Sequence, residues 1–210
     1  NASENKNEVA GSLPPEDTQA HAQSLEDSLR AVEWYTNESV RKALHAEAAG
    51  DNANARLFGD KAIESDKKAK NLRLETANAW LVVNDSENAQ AVWFRAAGMA
   101  EERAVMLGKR IPLMTEQWQS ARNAPAAQSG SGLEQEILYL QALFFTAQQW
   151  AVAADFFTRA GEQSKADAAK AELQALLPRL QANDHLKVSD DPRLKEMRLQ
   201  VQGWQAGRLP

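Results

Sequence analysis

A repeated spacing of small residues constrains this chain more than any other feature. In GDNANARLFGDKAIE (residues 50–64), Ala55 and Ala62 lie seven apart and share one helix face. In NDSENAQAVWFRAAG (84–98), Ala89 and Ala96 hold the same relative places, a shift of 34 residues from 55 to 89 and again from 62 to 96. Turn residues stand at equivalent points, Gly50-Asp51 and Asn84-Asp85. Alanine on a helix face lets a second helix approach closely, so a period of this length implies stacked helical units that bury their apolar stripes against one another. No alternating apolar and polar stretch interrupts the pattern, and the β-branched patch Leu81-Val82-Val83 sits inside a helical stripe. The expected fold class is all-α.

Local signals divide the chain further. Residues 1–22 are polar, with a Pro-Pro pair, and read as a flexible tether. Ser24 with Asp27 three residues later predicts a helix start, Leu25, Leu29, Val32, Val40 and Leu44 recur at helical spacing, and Gly50 ends the run. Asp51 caps the next helix, whose stripe is Ala55, Phe58, Ala62 and Ile63. Further turns are predicted at Gly98, Ile111-Pro112, Gln148-Gln149, Gly161 and Pro178, and a flexible linker at 124–132. The helical domain is thus placed at 23–182. A linker and a final helix occupy 183–210, with Asp191 as cap, Pro192 as first helical residue, and Leu194, Met197, Val201 and Trp204 on its apolar face.

The segment ILYLQALFFTAQQWAVAADFFTRAG (137–161) carries Leu140, Phe144, Trp150, Ala153, Phe157 and Ala160 in the order of a leucine, a tyrosine-type aromatic, a turn aromatic, a small residue, a large aromatic and a second alanine. With the period of 34, this resembles the tetratricopeptide-repeat family over roughly residues 36–165. The resemblance implies a short right-handed solenoid of helix hairpins with a C-terminal capping helix. Within it Ala153 belongs to the close-packed stripe, whereas Ala151 lies outside and is expected to tolerate bulk.

Chemistry is sparsely represented. Cysteine is absent, which removes disulfides and thiol nucleophiles. The net charge of −5 is made of mixed charges with no basic stripe, so nucleic acid is not expected as a partner. No apolar run is long enough to span a membrane. His45 and Glu47 are two apart on different helix faces, Asp191 is explained as a cap, and no phosphate loop or catalytic motif is present. No metal or cofactor is expected, and an enzyme is disfavoured. Charges such as Glu101-Glu102 beside Arg103 read as solvated surface. Of the six tryptophans, Trp80, Trp93, Trp118 and Trp150 are expected in packing, while Trp34-Tyr35 and Trp204 are candidates for exposure. Asn1-Ala2 before a polar run suggests that a signal peptide or lipid anchor was removed upstream. That points to the bacterial periplasm or envelope, with the cytoplasm as the alternative.

In the tetratricopeptide family the first helices of successive units line a concave groove that binds a protein or peptide segment. Carried over, the groove residues are Val40, Leu44 and Glu47, then Leu74, Asn78 and Leu81, then Leu138, Ala142 and Phe145. These are mainly apolar, with Asn78 able to hold a backbone amide, and they lack the basic residues that would hold a terminal carboxylate. A non-enzymatic adaptor is the expected function. The alternatives are a self-associating structural protein, in which the Trp204 helix docks into a groove, or an accessory domain whose exposed tryptophans contact cell-wall glycan.

Overall fold

In the computed structural model, which describes residues 15–123 and 129–209, the chain runs through α1 (Pro15–Ala48), α2 (Asn52–Val82), α3 (Ser86–Gly108), α4 (Ile111–Arg122), α5 (Ser129–Arg159), α6 (Gln163–Gln181), α7 (Asp184–Val188) and α8 (Pro192–Gln205). The fold is all-α, with no strand among the described residues. None of these helices is long and apolar enough to cross a membrane.

The 34-residue shift marks a repeated turn. Gly50 (φ 75°) and Asn84 (φ 59°) take the left-handed conformation that closes a helix, and so does Gly161 (φ 78°). The N–H of the next residue then reaches back to a carbonyl of the last turn: Asp51 to Ala46 at 2.8 Å, Asp85 to Trp80 at 2.9 Å and Glu162 to Phe157 at 2.9 Å. Asp51 and Asp85 also cap the following helices, accepting the backbone N–H of Asn54 at 3.1 Å and of Asn88 at 3.0 Å. Each turn closes a helix and starts its antiparallel successor.

Between these turns the helices are longer than expected. Gly98 lies inside α3, Gln148-Gln149 inside α5 and Pro178 inside α6. Buried Ala96, Ala97 and Ala100 hold the glycine in a packed helix, and Gln149 bonds Arg103 of α3 instead of turning. Pro178 sits in the last turn, where few intrahelical bonds remain to be lost. The segment 137–161 therefore lies almost wholly in one helix, so the expected break into a short hairpin is corrected. Near Ile111 the break falls at Lys109-Arg110.

The N-terminal boundary moves too. α1 begins at Pro15, well before Ser24, and Ala22 is fully buried, so residues 15–22 belong to the helical body. Residues 1–14 and 124–128 of the expected tether and linker lie outside the described residues. The last helix starts as expected, with Asp191 accepting the N–H of Arg193 at 2.8 Å and Pro192 opening α8. Its Leu194, Met197, Val201 and Trp204 share a core with Leu140, Leu143, Leu173 and Leu180, so α8 is continuous with the body.

α1 and α2 form an antiparallel hairpin, α3 runs beside both, and α5 runs antiparallel to α3, as the facing pairs Phe94–Phe157 and Arg103–Gln149 require. α5 is the spine: Ala153, Ala154 and Phe157 pack with Ala97 and Ala100 of α3, while Leu140, Phe144 and Ala151 face α6 and α8. Trp118 of α4 stacks on Tyr139 at 4.7 Å, and Trp204 on Phe144 at 5.4 Å. Ala151 and Ala153 are both 0% exposed, which overturns the expectation that Ala151 tolerates bulk. Ala151→Leu and Ala153→Leu should each destabilise by roughly 1–3 kcal/mol in urea melts, whereas Ala171→Leu on the exposed side of α6 should change stability by less than about 0.5 kcal/mol.

Candidate functional site

Where α1, α2, α3 and α5 meet, the interior is polar. Ala22, Glu26, Leu29, Glu33 and Thr36 follow one another at intervals of four and three on α1 and are all buried, so two carboxylates stand on the stripe that faces the core. Glu33 accepts from Arg73 Nε of α2 at 2.8 Å and from Arg95 Nε of α3 at 3.1 Å. Glu26 accepts from Trp80 Nε1 at 2.7 Å, Arg95 Nη1 at 2.9 Å and Arg30 Nη2 at 2.8 Å. One level further along, Thr36 donates to Ser65 at 2.9 Å. Burial pushes the Glu26 carboxyl up, but the hydrogen bonds from Arg30, Trp80 and Arg95 outweigh it, leaving Glu26 below the usual carboxylate range.

Arg103 completes the layer in a different way. It is only 4% exposed, and its hydrogen-bond partners are neutral amide oxygens, Gln149 Oε1 at 2.9 Å and Asn37 Oδ1 at 3.4 Å. Burial lowers its affinity for the proton, an effect opposed mainly by Asp66. Asp66 Oδ1 forms ion pairs at 3.5 Å with both Arg103 Nη1 and Arg73 Nη2, contacts long enough that Asp66 Oδ1 and Arg73 Nη2 are left without a hydrogen bond. Of the charges expected at the surface here, Glu101 is exposed and Glu102 is half-exposed, but Glu102 accepts from Asn37 at 3.0 Å and pairs with Arg41, bracing α1 against α3, and Arg103 itself is buried.

Beside this polar layer lies the face shared by α2 and α5, here termed the trough. α2 and α5 both pack on α3 and run parallel, meeting through side chains such as Arg73 over the Phe156 ring at 5.4 Å. On α2, Ile63, Leu74 and Leu81 are spaced by eleven and seven, on one stripe that also carries exposed Lys70 and adjoins the stripe of Asp66, Arg73 and Ala77. On α5, Phe145, Gln149, Val152 and Phe156 recur at intervals of four, three and four. Leu74, Leu81 and Phe145 are 44%, 54% and 39% exposed, as expected of groove residues. With Arg73 level with Phe156, Phe145 and Leu81 stand about 28 Å apart along the trough, at its two ends.

The other candidate groove residues are not brought there. Ala142 is fully buried in the core shared with α8, and Leu138 packs against that core. Val40 and Leu44 are half-buried on α1, and Glu47 pairs with Arg110. Asn78 lines a separate shallow furrow on the outer side of α1 and α2, with His21, Leu25 and Val82. α8 seats on the Phe144 side of α5, away from Leu74 and Leu81, so it does not cap the trough. Trp34 and Tyr35 are exposed, Trp80 and Trp204 are buried, and Trp93, Trp118 and Trp150 pack against the cores.

Comparison with protein-family models, curated proteins and solved structures finds no match.

Since Glu26 holds its proton less tightly folded than unfolded, its contribution is fully present above about pH 4.5, the unfolded value, and is lost as pH falls through the lower folded value. Urea melts between pH 5 and pH 2.5 should show stability falling with acid, and Glu26→Gln should flatten that dependence while costing stability at pH 7. Parallel pH profiles in the two proteins would contradict the paired state of Glu26.

Proposed function

We propose that this protein is a non-enzymatic helical interaction module that receives an amphipathic helix of a partner protein in the trough between α2 and α5. The observation that carries the reading is the exposure of Ile63, Leu74 and Leu81 on one stripe of α2 and of Phe145 on α5, beside half-buried Val152 and Phe156. An exposed apolar strip bordered by polar groups suits helix-in-groove recognition, in which residues at i, i+4 and i+7 of the ligand insert along the furrow. Rigid walls favour it, since α2 and α5 are anchored through α3 and lose little freedom on binding. The tetratricopeptide resemblance points in the same direction, toward a partner segment held by helices of successive hairpins.

A fluorescein-labelled helical peptide of about eighteen residues with a leucine stripe serves as probe. It should bind with an affinity that falls at least about tenfold in the triple variant Ile63→Ser, Leu74→Ser, Phe145→Ser, whose thermal midpoint should stay within a few degrees of the parent because none of these side chains is in the buried core. Absence of binding to the parent, or equal binding to the folded variant, would remove the proposal.

A further inference from the structure

The α1–α2 hairpin packs on α3 with one of its faces, and on the other a furrow follows the seam between the two helices. Two clefts of about 390 Å³ and about 430 Å³ lie along it, the first at Tyr35, Lys61 and Lys68, the second at His21, Glu75 and Val82. Only α1 and α2 line them. We infer that this face is where two copies of the chain associate about a two-fold axis, forming an antiparallel four-helix layer. On α1, Thr18, His21, Leu25, Ser28, Val32 and Tyr35 recur alternately at three and four residues, and on α2 Lys68, Leu72, Glu75, Ala79 and Val82 do the same. An average of 3.5 residues keeps a stripe facing a neighbouring helix along its whole length. Leu25, Val32, Leu72 and Ala79 are half-buried along this seam, while Tyr35 is 44% and Val82 70% exposed.

A second copy fits because the face is its own complement. Across a two-fold axis that lies between the facing hairpins at the level of Leu72, perpendicular to the helices, α2 meets α2 antiparallel, and residues equally far from Leu72 stand opposite one another. Lys68, four residues before Leu72, then faces Glu75 of the second copy, three residues after it, and the symmetry makes this pair twice. Glu75 has no hydrogen bond or ion pair among the described residues, and Lys68 is held only by Glu64 one turn away, with both side chains well exposed. On α1 the level of Leu72 falls near Ser28, since Tyr35 shares a cleft with Ser65 and Leu25 shares one with Asn78. Tyr35 and His21 are each seven residues from Ser28, so the ring of one meets that of the other across the axis. A partner of different sequence would have to reproduce this succession of basic, apolar and acidic levels, whereas a copy supplies it by symmetry. A face about 30 Å long and two helices, about 20 Å, wide covers roughly 600 Å² per copy and roughly 1,200 Å² in all, the lower bound for a specific interface, so the dimer is reversible. Ile63, Leu74 and Leu81 lie on a different stripe of α2, so the trough stays open in both copies.

Sedimentation equilibrium of the full chain from about 1 µM to about 500 µM should show a monomer–dimer equilibrium. Lys68→Glu and Glu75→Lys should each weaken association at least about tenfold, by setting like charges against each other twice, and the two together should restore it to within about threefold of the parent. Lys68 and Glu75 are two turns apart on α2, beyond the i, i+4 reach of a pair within one helix, so rescue reports a contact between chains. Both side chains are exposed, and circular dichroism should be unchanged in all three variants. A monomer throughout, a dimer indifferent to the single reversals, or no rescue in the double variant overturns the proposal. The trough variant Ile63→Ser, Leu74→Ser, Phe145→Ser should dimerise like the parent. Loss of the dimer there would move the interface to the trough and overturn its assignment to the α1–α2 furrow.

Discussion

Glu33 is the residue on which the arrangement of the N-terminal helices depends. It is fully buried on α1 and accepts from Arg73 of α2 and Arg95 of α3, so it can be satisfied only when all three helices stand in one relative position. The interface around it combines Ala22, Ala69, Ala77 and Ala89, which allow close approach, with Leu29, Trp80 and Val92. A slide by one turn would lose that packing and also strand two guanidiniums and a carboxylate in the interior. Removing one partner of a buried pair costs about 3–5 kcal/mol, so the polar layer fixes what the alanines leave open. Glu26 repeats the device seven residues earlier, with Trp80 and Arg95.

The two halves of the molecule are therefore held differently. Around α5, α6 and α8, interlocking leucines and stacked aromatics define the positions: Leu140, Leu143, Leu173, Leu180, and the Phe144–Trp204 pair. No charge is needed there. α5 belongs to both regimes, with Phe157 and Ala153 in the alanine contact to α3 and Leu140 and Phe144 in the leucine core. Gln149 marks the boundary, on the α3 side of α5, where it extends the polar layer to a fourth helix through Arg103.

What could be read from the sequence was what is decided within a few residues. Gly50-Asp51, Asn84-Asp85 and Gly161 close helices because a left-handed residue and a capping side chain act locally, and the 34-residue shift is the repetition of one such turn. Gly98, Gln148-Gln149 and Pro178 carry the same local signals but are overruled by packing, since α3 and α6 are continuous beside the long spine of α5. The polar layer was missed because charged residues are surface residues by default. A signal was nonetheless available: Glu26 and Glu33 fall on the same stripe as Ala22, Leu29 and Thr36, and carboxylates at core positions of a helix demand buried cations elsewhere in the chain. Of the trough, Leu74, Leu81 and Phe145 were legible as apolar residues outside the core pattern, but the neighbouring Arg73, Asp66 and Arg103 were not, because that cluster is assembled across two helices.

Arg103 carries the polar layer to the fourth helix. The position is walled by Asn37, Asp66 and Gln149, and a leucine there, with apolar neighbours of matching size, would cost less than a buried cation facing amides. Nothing in the packing of α3 on α5 requires a charge, since the adjacent levels of that interface are Ala97 and Ala100 against Ala153 and Ala154. Nor does the register of α1, α2 and α3 require it, because Glu26 and Glu33 already fix that register through Arg73 and Arg95. What a guanidinium at 103 adds is a tie to the fourth helix: it donates to Gln149 of α5 and Asn37 of α1 and pairs with Asp66 of α2, so it holds α5 in register with the three N-terminal helices.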